Sequence, residues 1–171
     1  MVGFAGFSLQ RPIRIQPPIP VAATTHRVPP MSIWNKPTNL VALNSRSANT
    51  LNAALGIEIT EIGEDFLRGR MPVDGRTVQP FGLLHGGANV ALAETLGSLA
   101  GWLTLAPDGG RTVGLEINAN HLRGVREGHV TGTARPLHLG RSTQVWEIRI
   151  VDDADKLSCI SRITLAVVAA S

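Results

Sequence analysis

VQPFGLLHGGANVALAETLGS, residues 78–98, decides how the rest of this chain is read. A proline-interrupted loop, a histidine and two glycines stand directly before an apolar run of helical character. Inside that run sits one carboxylate, Glu94, with Ser98 four residues later on the same helical face. A carboxylate among Val90, Leu92, Ala93, Leu96, Leu99 and Ala100 is costly to keep charged without a partner, so Glu94 is expected to face an interior or an interface. At the helix mouth, His85, Gly86 and Gly87 offer free backbone N–H groups and the positive end of the dipole. Two missing side chains there allow a ligand close to the backbone, and Gln79 adds a neutral amide on the same loop. The combination supplies a carboxylate for chemistry and a place for a developing oxyanion.

Each of these residues has an ordinary reading beside the chemical one. Most helix glutamates are solvated, a histidine before a helix commonly caps it, and a helical serine often serves only packing. The apolar surround favours the chemical reading for Glu94, and His85 gains weight only from its neighbours. Arg123, Arg126 and Arg141 read as surface charge or, next to Gly124 and Gly140, as partners for an anionic ligand tail.

A chain of 171 residues with 43% hydrophobic and 17% charged residues is expected to form one domain with its own core. Its net charge of +3 is concentrated at one end, since no acidic residue precedes Glu58. The first thirty residues also hold Arg11, Arg14 and Arg27 and six prolines (Pro12, Pro17, Pro18, Pro20, Pro29 and Pro30). Residues 1–30 therefore read as a disordered extension, either an acid-poor targeting peptide or, preferred, the product of an upstream start with Met31 as the true beginning. Residues 31–171 then form the domain, nearly neutral, with little call for nucleic acid. Glu94 interrupts the longest apolar run, Val90–Leu105, which argues against a membrane span. The lone Cys159, in a strand-like run, reads as a buried structural thiol in a cytoplasmic protein.

Along the domain, Thr38 is read as capping a helix that runs to about Leu55, with Leu40, Leu43, Leu51 and Leu55 on one side and Gly56 ending it. Strand text follows at Ile57–Ile62, with a turn at Gly63-Glu64-Asp65 into Phe66–Pro72. The long helix is expected over Gly86–Ala106, stopped by Pro107-Asp108-Gly109-Gly110. Beyond it come strands: Val113, Leu115, Ile117, Ala119 and His121 on one face; Val130–Leu139; Arg141–Asp152 with Gln144, Trp146, Ile148 and Ile150 facing one way; and Lys156–Ala169. One apolar helix amid about six antiparallel strands means an α+β fold in which the sheet wraps the helix. There is no GxxxxGK[ST], HExxH or GxSxG, and the histidines (His26, His85, His121, His129 and His138) lack ligand spacing, so neither a metal nor a cofactor is expected.

QPFGLLHGGANVALAETLGSLAG, with VGLEINANHLR, REGHVTG and PLHLGRSTQVW downstream, closely resembles the hotdog-fold acyl-CoA thioesterases, most of all their phenylacetate-degradation-type branch. The similarity spans about Met31–Ala169. It implies hydrolysis of an aromatic acyl-CoA, 1,4-dihydroxy-2-naphthoyl-CoA or a benzoyl-type thioester, by a homodimer or homotetramer. The catalytic carboxylate falls on Glu94, the oxyanion glycine on Gly86, the adjacent histidine on His85, the loop amide on Gln79 and the water-orienting hydroxyl on Ser98. Coenzyme A contacts fall on Gly114, on His121, Leu122, Arg123 and Gly124, and on His138, Leu139, Gly140, Arg141, Ser142 and Thr143. Arg141 stands where close relatives carry serine, with Ser142 one place later, and this swap leaves the phosphate partners open. A carrier-protein proofreading thioesterase and a non-catalytic acyl-CoA sensor are the alternatives. An enoyl-CoA hydratase is disfavoured, because no aspartate accompanies His85.

Spacing alone adds one constraint. His85 and Glu94 lie nine residues apart, about 13–14 Å along a straight helix and on opposite sides of it. They cannot converge on one carbonyl from the same helix, so each site is expected to be shared between two subunits.

Overall fold

The computed structural model describes residues 32–169. Residues 1–31, including the proline-rich lead and Met31, lie outside the described residues, as do 170 and 171. Six antiparallel strands form one sheet in the order β1-β2-β4-β5-β6-β3: β1 (Glu58–Ile62), β2 (Leu67–Pro72), β3 (Arg111–His121), β4 (His129–Leu139), β5 (Thr143–Asp152) and β6 (Leu157–Val168). Two short helices, α1 (Leu40–Ser45) and α2 (Leu51–Leu55), precede the sheet, and the long α3 (Gly86–Leu103) lies against its concave face. This is the helix-in-sheet architecture expected from the alternation of apolar residues.

The core forms where α3 meets the sheet. Leu92, Ala93, Leu96, Ala100 and Leu103 are fully buried against Trp146, Ile148 and Ile150 of β5 and Ile163 and Leu165 of β6. The β5 alternation holds as read, with Gln144, Trp146, Ile148 and Ile150 all inward. Small residues set the helix-to-sheet distance: a Cβ on Gly97 would stand 2.5 Å from Ile163 Cγ2, so only glycine permits the approach. Cys159 is buried as expected, and burial pushes its thiol above the ordinary value.

Three sequence expectations are corrected. The single helix from Thr38 to Leu55 is two helices, and its cap is Asn39, whose Oδ1 accepts from Ala42 N at 2.9 Å. The interruption contains Asn49 in the left-handed region at φ 60°, a conformation asparagine tolerates and other residues resist. Asn44 then exchanges two hydrogen bonds with the Ile59 backbone and pins α1 to β1. Gly56 does end α2, at φ 72°.

The long helix stops at Leu103 rather than Ala106. Asn35 N and Lys36 N donate to Leu103 O at 2.9 and 3.1 Å, and Asn35 Nδ2 donates to Thr104 O at 2.5 Å. Carbonyls claimed by this crossing segment cannot continue the helix ladder. Lys36 Nζ completes the terminus with bonds to Ala106 O and Pro107 O at 2.7 and 2.8 Å.

In β3 the one-face alternation is broken. The register against β6 slips between Gly114 and Glu116, a bulge that leaves Val113 and Leu115 exposed while Ile117 and Ala119 pack on the core. Before the bulge Thr112 and Gly114 face the helix; after it Ile117 and Ala119 do. The slip therefore turns the glycine, not the leucine, towards Glu94.

Candidate active site

The loop Val73–Leu84 is rigid for local reasons. Buried Thr77 bonds Pro72 O and Asp74 N through its hydroxyl. Asp74 accepts from the Arg76 side chain and from Arg76 N, which together draw its carboxyl down to about 2. Gln79–Gly82 closes a tight turn, with Gly82 N donating to Gln79 O at 2.9 Å. Gln79 Oε1 accepts from Phe81 N at 2.5 Å, so the side chain's acceptor is occupied and its Nε2 donors stay available.

At the mouth of α3, His85 is the N-cap: its Nδ1 accepts from Gly87 N at 2.8 Å, and its carbonyl accepts from Ala88 N and Asn89 N. Among the described residues no acceptor faces the Gly86 N–H. The two glycines thus divide their work, with Gly87 taken by the cap and Gly86 left at the positive end of an 18-residue helix. A cavity of about 290 Å³ opens beside it, lined by Gln79, Gly86, Asn89, His121, Leu122, Arg123 and Gly124. His85 itself is exposed and borders a different hollow, with Arg76, Thr77 and Ala91.

Two turns further along, Glu94 is half-buried and directed at β3. Ser98 Oγ donates to Glu94 Oε1 at 2.6 Å, and a Cβ on Gly114 would stand 3.0 Å from the same oxygen. Thr112 Oγ1 donates to Ser98 O at 3.2 Å, which ties that turn of helix to the strand. The carboxylate opens into a hollow of about 360 Å³ with Gly114, Leu115, Glu116 and Ile117. Ser98 also borders a larger cleft of about 410 Å³ between α1, α2 and α3, with Leu43, Leu99 and Trp102 on its apolar side and Arg46, Thr50 and Asn52 on its polar side. The Arg46 guanidinium stacks 4.6 Å from the Trp102 ring centre.

One helix thus carries a carboxylate held by a hydroxyl beneath a glycine of β3, and at its mouth a glycine with an open N–H. The chain from Phe81 to Cys159 matches the family model described as the thioesterase superfamily. A proofreading thioesterase, EntH, of Cronobacter turicensis is 56% identical over 79% of this chain and 98% of its own length. The 1,4-dihydroxy-2-naphthoyl-CoA hydrolase of Escherichia coli K12 is 51% identical over 79% of this chain and 98% of its own. The chain belongs to the thioesterase superfamily.

This thioesterase also superposes on the crystal structure of the Haemophilus influenzae thioesterase HI1161 with a TM-score of 0.78 and 55% identity, over 80% of this chain and 95% of that one. The hotdog fold and the hydrolase class expected from the helix motif both hold.

Within one chain the anticipated residues form two groups rather than one. Gln79, Gly86 and His121–Gly124 gather at the N-terminal end of α3. Glu94, Ser98 and Gly114 gather further along it. Gly114 pairs with Leu165, Leu165 with Gln144 and Gln144 with Leu139, so the His138–Thr143 hairpin lies on the sheet row of Gly114. His121 pairs with Cys159 on another row, seven residues along β3. Asn89 is the member of the first group that sequence reading passed over. Its signal was a polar amide one turn inside an apolar helix, next to the glycine pair.

Proposed function

We propose that this thioesterase hydrolyses an aromatic acyl-CoA to the free acid and coenzyme A, in sites that each draw on two subunits. The observation carrying the reading is the Ser98–Glu94 hydrogen bond beneath Gly114, because it fixes one carboxylate oxygen and leaves the other for water or for the thioester carbon. The Gly86 N–H polarises the carbonyl and holds the oxyanion, an effect worth about 3–4 kcal/mol per donor in comparable sites. Glu94 either activates water or attacks to form a transient anhydride. Both routes put the same carboxylate in the same place.

The two-subunit arrangement draws support from β3. This strand is a sheet edge, with Val113 and Leu115 exposed on it. Antiparallel pairing of two β3 strands about Ile117–Asn118 would set Gly114 of one chain opposite His121 of the other. Glu94 would then meet Gly86 and Gln79 of the neighbouring chain, and the His138–Thr143 hairpin would meet His121–Gly124. Those two segments supply the coenzyme A contacts in this reading, with Arg123 and Arg141 the cations for its phosphates. Association of two such dimers gives a tetramer, measurable by light scattering.

The aromatic preference draws on the cleft beside Ser98, whose Leu43, Leu99 and Trp102 walls suit a flat apolar ring. It also draws on likeness to the 1,4-dihydroxy-2-naphthoyl-CoA hydrolase. Likeness to a proofreading thioesterase favours, as a second reading, an aryl group carried on a carrier protein. A thiol-release screen across aryl-CoA, linear acyl-CoA and aryl-carrier thioesters decides between them. Aryl-CoA esters are expected to lead by about one order of magnitude in kcat/KM. Faster turnover of aliphatic esters overturns the substrate class, and binding without turnover across the whole panel overturns the enzymatic reading.

A further inference from the structure

Asn89 is only 4% exposed, yet its Oδ1 is the one buried side-chain oxygen or nitrogen without a hydrogen-bond partner among the described residues. Burying an amide with half its capacity unused costs free energy, and such a cost persists where function requires the group. Asn89 lines the cavity beside Gly86, and its Nδ2 lies 3.4 Å from His121 Nδ1. His121 reaches across from the last residue of β3 so closely that a Cβ on Gly86 would stand 2.9 Å from its Nε2.

The contact links the orientation of the Asn89 amide to the proton position on the His121 ring. In a neutral imidazole one nitrogen donates and the other accepts. An amide NH₂ has only donors to offer, so Asn89 Nδ2 requires Nδ1 of His121 to be the acceptor, and the ring proton then sits on Nε2. That N–H is at the face of Gly86, whose backbone borders the same cavity. We propose that Asn89 is a positioning residue that holds His121 in the Nε2–H tautomer, making His121 a second donor to the thioester oxygen next to Gly86 N–H. The proposal rests on the oxyanion role given to Gly86 above. It adds a contact to the carbonyl oxygen to the place of His121 at the start of the coenzyme A segment.

The tautomer is read directly by two-bond ¹H–¹⁵N correlation spectra of the full-length protein, with the His121 signals identified by their loss in His121→Gln. The native ring should carry its proton on Nε2. Asn89→Leu removes the donor at similar volume and should give a mixture of tautomers. Asn89→Asp offers only acceptors and should move the proton to Nδ1. Both variants should lower kcat about tenfold or more, as loss of one oxyanion donor does, with KM changed by no more than about twofold. Thermal unfolding of each variant shows whether the fold is kept, and a variant that unfolds is replaced by Asn89→Ser. An Nδ1–H ring in the native protein overturns the proposal, and so does a tautomer that moves while kcat stays at the native value. The spectra need no turnover, so an inert Gly86 or Glu94 would refute the hydrolytic site without touching the tautomer result.

Discussion

Ser98 and Glu94 sit one helical turn apart, and the serine hydroxyl donates to the carboxylate at 2.6 Å beneath a strand whose nearest residue, Gly114, has no side chain. The bond restrains the acid, and the missing side chain leaves the carboxylate open to the hollow beside Leu115, Glu116 and Ile117. Glu94→Gln is expected to lower kcat for an aryl-CoA by about 10²–10⁴, the range for a positioned general base, with Glu94→Ala nearly inactive. Ser98→Ala removes a hydrogen bond to a charged group, worth about 1.5–3 kcal/mol, and should lower kcat about ten- to a hundredfold with KM little changed. Initial rates of thiol release measure both. Native rates in Glu94→Gln would remove the carboxylate from the chemistry.

The glycine of that pair gives an independent check. Gly114→Val would place a branched side chain against the Glu94 carboxylate, since even a Cβ would stand 3.0 Å from Oε1. Position 114 is exposed within the single chain, so the fold should keep its stability while kcat/KM falls by at least about two orders of magnitude, with light scattering to check that the β3 pairing persists. Circular dichroism melts and steady-state kinetics on the same sample separate the two effects.

Much of this was legible in the sequence because α3 is a locally consistent element. Its cap, its glycine pair and its apolar face all lie within residues 85–103, and the Glu94–Ser98 contact follows from helical spacing alone. The β5 pattern from Gln144 to Ile150 was readable for the same reason, since one buried face imposes strict alternation. What escaped reading depends on partners far along the chain. The early stop at Leu103 comes from Asn35 and Lys36, nearly seventy residues away. The bulge that turns Gly114 towards Glu94 exists only in register against β6. Asn89 acquires meaning only when the end of β3 brings His121 beside it.

Core packing sets a limit on the helix face turned to β5 and β6. A methyl group at Gly97 would stand 2.5 Å from Ile163 Cγ2, so Gly97→Ala forces helix and sheet apart despite alanine's better helix propensity. Destabilisation of about 1–3 kcal/mol is expected, read from the urea midpoint at unchanged m-value. A variant as stable as the native chain would mean that the interface relaxes at no cost.

The Asp74–Arg76 contact makes the Val73–Leu84 loop sensitive to acid. Hydrogen bonds from the Arg76 side chain and from Arg76 N hold the Asp74 carboxyl at about 2, below its ordinary 3.8. A carboxyl depressed in the folded state contributes stability above its unfolded pKa and loses that contribution as pH falls through the folded value. The difference in urea midpoint between the native chain and Asp74→Asn should therefore be present near pH 5 and fade towards about pH 2. A difference that stays constant across that range would mean the carboxylate charge is not what holds the loop.

Glu94 of one subunit working with Gln79 and Gly86 of another is tested most directly by subunit mixing. Glu94→Ala and Gln79→Ala are each prepared as strongly impaired homodimers, then mixed in equal amounts, with exchange verified by native mass spectrometry of differently tagged chains. Each mixed dimer carries one site with both lesions and one with neither. A random mixture, half of it mixed dimers, should therefore recover about a quarter of native activity. A verified mixture that remains as inactive as its parents contradicts the shared site.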